Sequence, residues 1–121
     1  MASIDFDSLK RLGAASHTFD AGEKIFMQED SAARMFVVAS GRVQIVTYGT
    51  VLENVGPGGV FGEMAIIDDA PRSAAALAVE PTEVVEIDRP QFLELIRENP
   101  EFALHIMSIL ATRIRKMNAN L

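Results

Sequence analysis

The sequence lacks the residues on which several kinds of functional site depend. It contains no cysteine and no tryptophan, and only 2 of its 121 residues are histidine. Without cysteine there can be no disulfide framework and no thiolate metal centre. His17 and His105 alone cannot supply a three-histidine metal site, and no motif of the Ser–His–acid type is visible. We therefore expect no metal, no cofactor and no catalytic residue, and the absence of cysteine agrees with a cytoplasmic location.

Long apolar runs and an excess of positive charge are also missing. No hydrophobic stretch is long enough to span a bilayer, and the acidic start of the chain contains no apolar run typical of a signal peptide. The 11 lysines and arginines are outnumbered by 17 aspartates and glutamates, so the formal net charge is −6. A nucleic-acid surface needs clustered Lys and Arg. We therefore expect no membrane contact and no direct nucleic-acid binding.

The residues that are present fit a single domain spanning residues 1–121. Hydrophobic residues make up 49% of the sequence, and a chain of this length can bury one real core. From about residue 17 to residue 88, short runs rich in Val, Ile, Phe and Thr alternate with Gly, Pro, Asn and Asp. This texture is typical of an antiparallel sandwich or barrel, and Ser40-Gly41 reads as a hairpin turn. Examples of such runs lie at residues 24–28, 35–39, 42–47, 50–55, 74–78 and 83–87.

Helical patterns flank this β region. Phe6, Leu9 and Leu12 have helical spacing and predict a short N-terminal helix. Two more helices are predicted over about residues 89–118. The first opens with the capping residue Asp88, followed by proline in its first turn, and the second opens in the same way at residues 99–101.

The last predicted helix is apolar around most of its circumference. A helix on a protein surface needs an apolar arc of only about 100°. We therefore expect this helix to be covered on two sides, by its own barrel and by a ligand, a partner protein or a second copy of the chain. Arg113 is the one charge on its apolar side.

The most informative segment is residues 61–75. Gly62 and Glu63 stand at the start of a short helical run, where backbone N–H groups are unpaired and a glycine allows close approach. Arg72 follows Pro71, and its planar guanidinium fits phosphate oxygens. Each residue alone has a simpler interpretation. Glu63 could be a solvated residue in the first turn of a helix, and Arg72 could pair with aspartates of the loop. Together the residues indicate a cradle for one phosphate. The carboxylate beside it can accept hydrogen bonds from sugar hydroxyls.

This segment closely resembles the phosphate-binding cassette of the cyclic nucleotide-binding domain family. The family pattern Phe-Gly-Glu-Leu/Met-Ala, then Pro-Arg-Ser/Thr/Ala-Ala, is matched at residues 61–65 and 71–74, and the resemblance extends over residues 22–26, 35–43 and 57–59. It implies a mainly β fold with flanking helices, namely an antiparallel jelly-roll barrel with a short N-terminal helix and two C-terminal helices.

The resemblance also implies roles for individual residues. Glu63 would accept a hydrogen bond from the ribose 2′-hydroxyl, and Arg72 would contact the exocyclic phosphate. The implied ligand-binding residues are Phe61, Gly62, Glu63, Met64, Ala65, Arg72, Ser73 and Ala74. Family positions of the base pocket correspond to Val43, Ile45 and Leu52, for which an ordinary core role is at least as good, and Leu110 and Arg113 are further candidates for that pocket.

Two departures from the family pattern bear on affinity and on local shape. Alanine and leucine occupy positions 75 and 77, where the family often has a hydroxyl and a basic residue, so a polar contact is expected to be absent. Glu29 occupies a turn position that is often glycine, and we expect it to affect the turn and not the site. Asp68 and Asp69 would oppose a phosphate, so we expect both to face water.

The leading interpretation is a non-catalytic sensor of cAMP or cGMP. Its C-terminal helices would move when the ligand binds and would signal to a partner protein or to a second copy. No DNA-binding domain is expected in residues 1–121. The alternative is an interaction or dimerisation module that uses the same fold without nucleotide. A barrel metalloenzyme of the cupin type would need a histidine-rich motif that this sequence lacks.

Overall fold

The computed structural model describes residues 5–68 and 70–119, without the side chains of residues 117 and 119. Four helices and eight strands occur in this part of the chain. The helices are α1 (Phe6–Arg11), α2 (Met64–Ile67), α3 (Arg89–Glu98) and α4 (Glu101–Ala119). The strands are β1 (Ala15–Phe19), β2 (Lys24–Phe26), β3 (Arg34–Ser40), β4 (Val43–Thr47), β5 (Thr50–Val55), β6 (Val60–Phe61), β7 (Ala75–Ala78) and β8 (Thr82–Asp88).

The strands form two four-stranded sheets with antiparallel pairing. The order is β1-β8-β3-β6 in one sheet and β2-β7-β4-β5 in the other. Buried residues from both sheets share one core cluster, in which Phe36 and Val84 of the first sheet pack with Val43 and Ala76 of the second. The predicted mainly β fold with flanking helices is therefore confirmed. The two sheets form a jelly-roll-like sandwich and do not close into one continuous barrel.

A second core cluster lies on the other face of the first sheet. Met35 and Val37 of β3 point to this side, where they pack with Leu9 of α1, Leu95 of α3 and Ile106 of α4. Successive residues of a strand face opposite sides. Strand β3 is covered on both faces, which explains why four consecutive apolar residues, 35–38, are all buried. This layering brings the C-terminal helices against the same sheet that carries β6.

Local chemistry explains the turns and helix starts that the sequence predicts. Gly41 has a φ of +90°, and a Cβ there would lie 2.5 Å from the carbonyl oxygen of Pro81, so only glycine fits this hairpin turn. Asp88 accepts a hydrogen bond from the backbone N–H of Gln91 at 2.9 Å, and the side chain of Gln91 accepts one from the N–H of Asp88 at 2.9 Å. This capping box begins α3 where the sequence places it.

Two strands were not predicted. Four of the five residues of β1 are exposed, so the apolar alternation that marks a strand is absent there. Strand β6 has only two residues, which is too short for any periodicity. Both strands form because they pair with longer neighbours, β1 with β8 and β6 with β3. Within the described residues, no helix has the length and apolar character that crossing a membrane would require.

Candidate functional site

The predicted cradle is built by the turn between β6 and α2. Gly62 has a φ of +74°, in the left-handed region that glycine tolerates. A Cβ at this position would also lie 2.8 Å from Nη1 of Arg72. Both the backbone conformation and the close approach of Arg72 therefore require glycine here.

Arg72 reaches this turn from the loop that precedes β7, and its side chain is buried. Its Nη1 donates to the carbonyl oxygen of Gly62 at 3.0 Å, and its Nη2 donates to the carbonyl oxygen of Arg34 at 2.7 Å. The Nε–H is buried and has no hydrogen-bond partner among the described residues. A guanidinium has five N–H donors, so Arg72 keeps donors for a further acceptor.

The carboxylates of the described residues do not neutralise the charge of Arg72 through an ion pair. Within residues 5–68 and 70–119, no Asp or Glu lies within ion-pair distance of it. Burial lowers the pKa of Arg72 from its ordinary value, and the more distant carboxylate of Asp30 acts in the opposite direction. Arginine nevertheless stays protonated in proteins at neutral pH. The side chain is thus a buried cation with spare donors, which suits an anionic ligand.

Glu63 is also buried, with 3% of its surface exposed, but its charge is paired. Its Oε1 forms an ion pair with Nη1 of Arg113, which lies on α4. Arg113 in turn donates from Nε to Glu53 at 3.0 Å and from Nη2 to the carbonyl oxygen of Val60 at 2.9 Å. One arginine of the last helix therefore joins β5, β6 and the cassette.

A groove separates α4 from the turn between β5 and β6. Its walls include Glu53, Val60, Ile109 and Arg113, and its volume is about 280 Å³. Helix α4 is therefore not close-packed along this turn. The contacts of Arg113 bridge the opening, so they form a specific link between the helix and the sheet.

The other predicted ligand-binding residues lie around this cradle in different environments. Phe61 and Ala65 are buried, Ala74 is buried, Met64 is half exposed and Ser73 is exposed. The N–H of Ala65 already donates to the carbonyl oxygen of Gly62 at 3.2 Å. Asp68 is exposed, as expected, and its Oδ1 accepts from the N–H of Ala70, whereas Asp69 lies outside the described residues.

The candidate base-pocket residues lie in different environments. Val43 is fully buried in the core between the sheets and Ile45 packs against that core, which agrees with the simpler interpretation of both. Leu52 is 58% exposed, and Leu110 packs against the helix-side core. Of the five candidates, only Arg113 contacts a predicted ligand-binding residue through a hydrogen bond or ion pair in the described part of the chain.

Sequence reasoning missed Glu53, although strand geometry offered a signal. Residues two apart in a strand share a face, and Glu53 has the same parity as Val55, which is 5% exposed. A charged residue on an inward face needs a partner. That partner is Arg113, 60 residues further along the chain, and no local pattern identifies such a pair.

The expectation for Glu29 was wrong, because the turn and the site are joined. Glu29 has a φ of +73°. Its N–H donates to the carbonyl oxygen of Arg72 at 2.8 Å, and the N–H of Arg72 donates to the carbonyl oxygen of Asp30 at 2.9 Å. The turn therefore holds the backbone of Arg72 on both sides.

Replacing Glu29 with glycine should stabilise the protein. A residue other than glycine in the left-handed region costs about 1 kcal/mol or more, and the greater freedom of glycine in the unfolded chain offsets part of the gain. We expect Glu29→Gly to raise the free energy of unfolding by about 0.5–1 kcal/mol, measured by chemical denaturation. Glu23→Gly, at an exposed position with ordinary φ, is the control and should destabilise. A loss of stability in Glu29→Gly would contradict the strained turn.

These features define a class of protein, a jelly-roll-like domain in which a buried arginine contacts the glycine turn between β6 and α2. The chain matches the model of the family described as "Cyclic nucleotide-binding domain" over residues 16–99. It belongs to the cyclic nucleotide-binding domain family.

Individual proteins with similar sequences support this assignment to the family. The chain is 37% identical over 108 residues to the cyclic AMP receptor protein of Thermus thermophilus, covering 85% of this chain and 50% of that protein. It is 36% identical over 77 residues to a cAMP-dependent protein kinase regulatory subunit of Yarrowia lipolytica, covering 64% of this chain and 20% of that protein. The chain thus spans about half the length of the receptor protein that it resembles.

A solved structure shows the same fold. The crystal structure of the Thermus thermophilus catabolite activator protein superposes with a TM-score of 0.81 at 33% sequence identity. The match covers 97% of this chain and 58% of that one. Nearly the whole chain therefore corresponds to one part of a longer relative.

Proposed function

We propose that this chain is a non-catalytic sensor domain that binds a cyclic nucleotide, either cAMP or cGMP. Arg72 binds the exocyclic phosphate, together with backbone N–H groups of the cassette and the exposed hydroxyl of Ser73. Glu63 accepts a hydrogen bond from the ribose. The observation that carries the proposal is Arg72, a buried guanidinium with a free Nε–H and no carboxylate partner among the described residues.

A phosphate at Arg72 would supply what the buried side chain lacks. Leaving a buried charged donor without a partner costs free energy, about 1–3 kcal/mol or more. A phosphate oxygen accepts the free donors and brings a negative charge to a cation that has no ion-pair partner among the described residues. The net charge of −6 works against an anionic ligand, so this local arrangement has to provide the affinity.

Signalling would pass through the contact between Arg113 and Glu63. A ribose hydroxyl that binds Glu63 competes for the same carboxylate that Arg113 holds. A ligand can shift the position of α4 only if its affinity differs between the two arrangements of the helix. Competition at Glu63 gives such a difference, and an open groove lies beside Arg113.

Thermal unfolding with and without nucleotide tests this function. A ligand present at about 100 times its dissociation constant should add about 2.7 kcal/mol to the free energy of unfolding. For a domain of this size we expect the melting temperature to rise by several degrees with cAMP, with cGMP or with both. AMP, which has an open phosphomonoester, is the control and should give a smaller shift. No shift with either cyclic nucleotide would favour a module that works without nucleotide.

We also propose that α4 pairs with a second copy of the chain. Leu104, Met107 and Ile114 are 64%, 60% and 57% exposed, and they lie on the side of the helix away from the buried Phe102 and Ile106. With Ala111 they repeat at spacings of three, four and three residues, which is the apolar seam of a two-stranded coiled coil. The expected partner is therefore the same helix of another protomer.

Analytical ultracentrifugation tests this pairing. We expect a dimer for the wild-type chain and a monomer for Met107→Glu, because like charges would meet in the centre of the seam. Thr112→Glu, at an exposed position of the same helix outside the seam, should remain dimeric. If the wild-type chain is a monomer at high protein concentration, the proposed pairing is wrong and the seam would have to bind a different protein. A cytoplasmic location stays a prediction.

A further inference from the structure

Phe26 lies against the arginine of the proposed anion site, although its position in the sequence suggests only a core residue. It is the last residue of β2, which pairs with β7, the strand that begins three residues after Arg72. The centre of its ring is 4.0 Å from Cζ of Arg72, whereas the ring of Phe36 is 5.7 Å away. The guanidinium therefore rests on the face of one aromatic ring, with a second ring nearby.

The ring and the hydrogen bonds restrain Arg72 in different ways. The two carbonyl oxygens of Gly62 and Arg34 bind the ends of the guanidinium at 3.0 and 2.7 Å. These bonds hold its edge, and the face contact with Phe26 restrains the tilt of its plane. With both restraints in place, the remaining N–H groups keep one orientation, which is what a planar donor needs in order to bind phosphate oxygens.

An aromatic ring suits this task better than a carboxylate would. The face of a phenyl ring attracts a cation through its quadrupole but carries no net charge. A carboxylate in the same place would compete with an anionic ligand for the guanidinium. Arg113 shows the contrast, because Glu53 and Glu63 both bind it and its charge is already neutralised.

The same ring also touches the cassette. Phe26 and Phe61 have ring centres 6.0 Å apart, and Phe61 and Phe36 are stacked with centres 5.1 Å apart. Phe61 immediately precedes Gly62, whose carbonyl oxygen binds Arg72. Phe26 thus contacts the arginine on one side and the strand that carries its hydrogen-bond acceptor on the other.

We propose that Phe26 is a positioning residue of the anion site, which holds the Arg72 guanidinium by a cation–π contact and leaves its charge available to the ligand. This inference rests on the proposed function, because the expected anion is the phosphate of a cyclic nucleotide. It adds a residue from β2, which lies outside the cassette and outside every residue set that the sequence predicts for ligand binding.

Substitution by leucine tests this role, because leucine keeps most of the apolar volume and removes the aromatic face. We expect Phe26→Leu to weaken the binding of the preferred cyclic nucleotide about 10- to 30-fold in calorimetric titrations. Phe26→Tyr keeps the ring face and should stay within about threefold of wild type. Phe19→Leu is the matched control. Phe19 packs against the same core cluster, and among the described residues the rings beside the Arg72 guanidinium are those of Phe26 and Phe36. The affinity of the Phe19→Leu variant should therefore also stay within about threefold of wild type.

A double-mutant cycle separates positioning from a general effect on the fold. If Phe26 acts through Arg72, adding Phe26→Leu to Arg72→Ala should cause no further loss of affinity. An equal loss in both backgrounds would mean that Phe26 supports only the fold, and would overturn the proposal. Should the leucine variant fail to fold, Phe26→Met takes its place in the same cycle.

Different experimental results would contradict this inference and the proposed function. Unchanged affinity in Phe26→Leu, with a wild-type chain that binds nucleotide and an Arg72→Ala variant that binds it much more weakly, removes only the role of Phe26. A wild-type chain that binds neither cAMP nor cGMP removes the proposed function, and the role of Phe26 in binding with it.

Discussion

Replacing Arg72 with alanine should weaken cyclic nucleotide binding about 10- to 150-fold, because a hydrogen bond to a charged group contributes about 1.5–3 kcal/mol. The structure gives reason to expect the upper part of this range. The guanidinium is buried and has no carboxylate partner in the described part of the chain, so solvent and counter-charge do little to screen it. Calorimetric titration of both proteins with the preferred nucleotide measures the ratio of dissociation constants.

Arg34→Ala is the matched control for this experiment. It removes one positive charge close to the site, but the atom of Arg34 that contacts Arg72 is its carbonyl oxygen, which alanine retains. The side chain of Arg34 is 53% exposed and pairs with Glu86 at 3.3 Å. We expect the nucleotide affinity of the Arg34→Ala variant to stay within about threefold of wild type. Equal losses in the two variants would mean that Arg72 acts only through overall charge.

Arg72→Ala also removes a structural contact, which has to be measured separately. The carbonyl oxygens of Gly62 and Arg34 lose their partner, and each of these partly buried acceptors then costs free energy, about 1 kcal/mol or less. The variant should therefore unfold at a lower temperature even without nucleotide. Titrations belong at a temperature where circular dichroism shows that both proteins are folded.

Replacing Arg113 with alanine should lower the free energy of unfolding by about 2–3 kcal/mol. The substitution leaves the carboxylate of Glu63, which is 3% exposed, without its cationic partner. Breaking a fully buried ion pair costs about 3–5 kcal/mol, and the estimate is lower here because the side chain of Arg113 is 26% exposed. Urea denaturation of wild type and variant gives the difference.

Two further variants show whether the loss comes from Glu63. Arg115→Ala makes the same charge change at an exposed position of α4, and its stability should stay within about 0.5 kcal/mol of wild type. Adding Glu63→Gln to Arg113→Ala should recover part of the loss, since a buried neutral amide costs less than an unpaired carboxylate. Purely additive effects would show that the two residues are not coupled.

Arg113→Ala should also weaken the coupling between nucleotide binding and the last helix, α4. In the wild-type chain, nucleotide should change the hydrogen exchange of α4 as the helix responds to competition at Glu63. In the variant this change should be much smaller, while exchange at the cassette still responds to nucleotide. An unchanged response of α4 would mean that the signal takes another route.

The parts of this fold that the sequence predicts are those with local causes. Ser40 and Gly41 form the expected turn because a positive φ and the nearby Pro81 carbonyl demand glycine. Asp88 and Gln91 begin α3 because their side chains cap each other's backbone N–H groups. Phe6–Arg11 and Glu101–Ala119 follow from helical periodicity and helix-start residues, and they lie close to the predicted positions.

The parts that sequence reasoning missed depend on contacts between distant residues. Glu53 meets Arg113 across 60 residues, and Phe26 meets Arg72 across 46 (72 − 26). Pairing of this kind follows from the order of strands in the two sheets, which no single run of sequence specifies. The sequence marks Arg113 as a charge on an apolar helix face, but its partners Glu53 and Glu63 depend on the position of the helix beside β5 and the cassette.

Calorimetric titration of the wild-type chain with cAMP, cGMP and the two corresponding uncharged nucleosides tests the central claim most directly. A buried cation that recognises phosphate predicts saturable binding, one ligand per chain, for at least one cyclic nucleotide, and much weaker or no binding for adenosine and guanosine. Absence of binding by both cyclic nucleotides, or equal binding of a nucleotide and its nucleoside, would contradict the account.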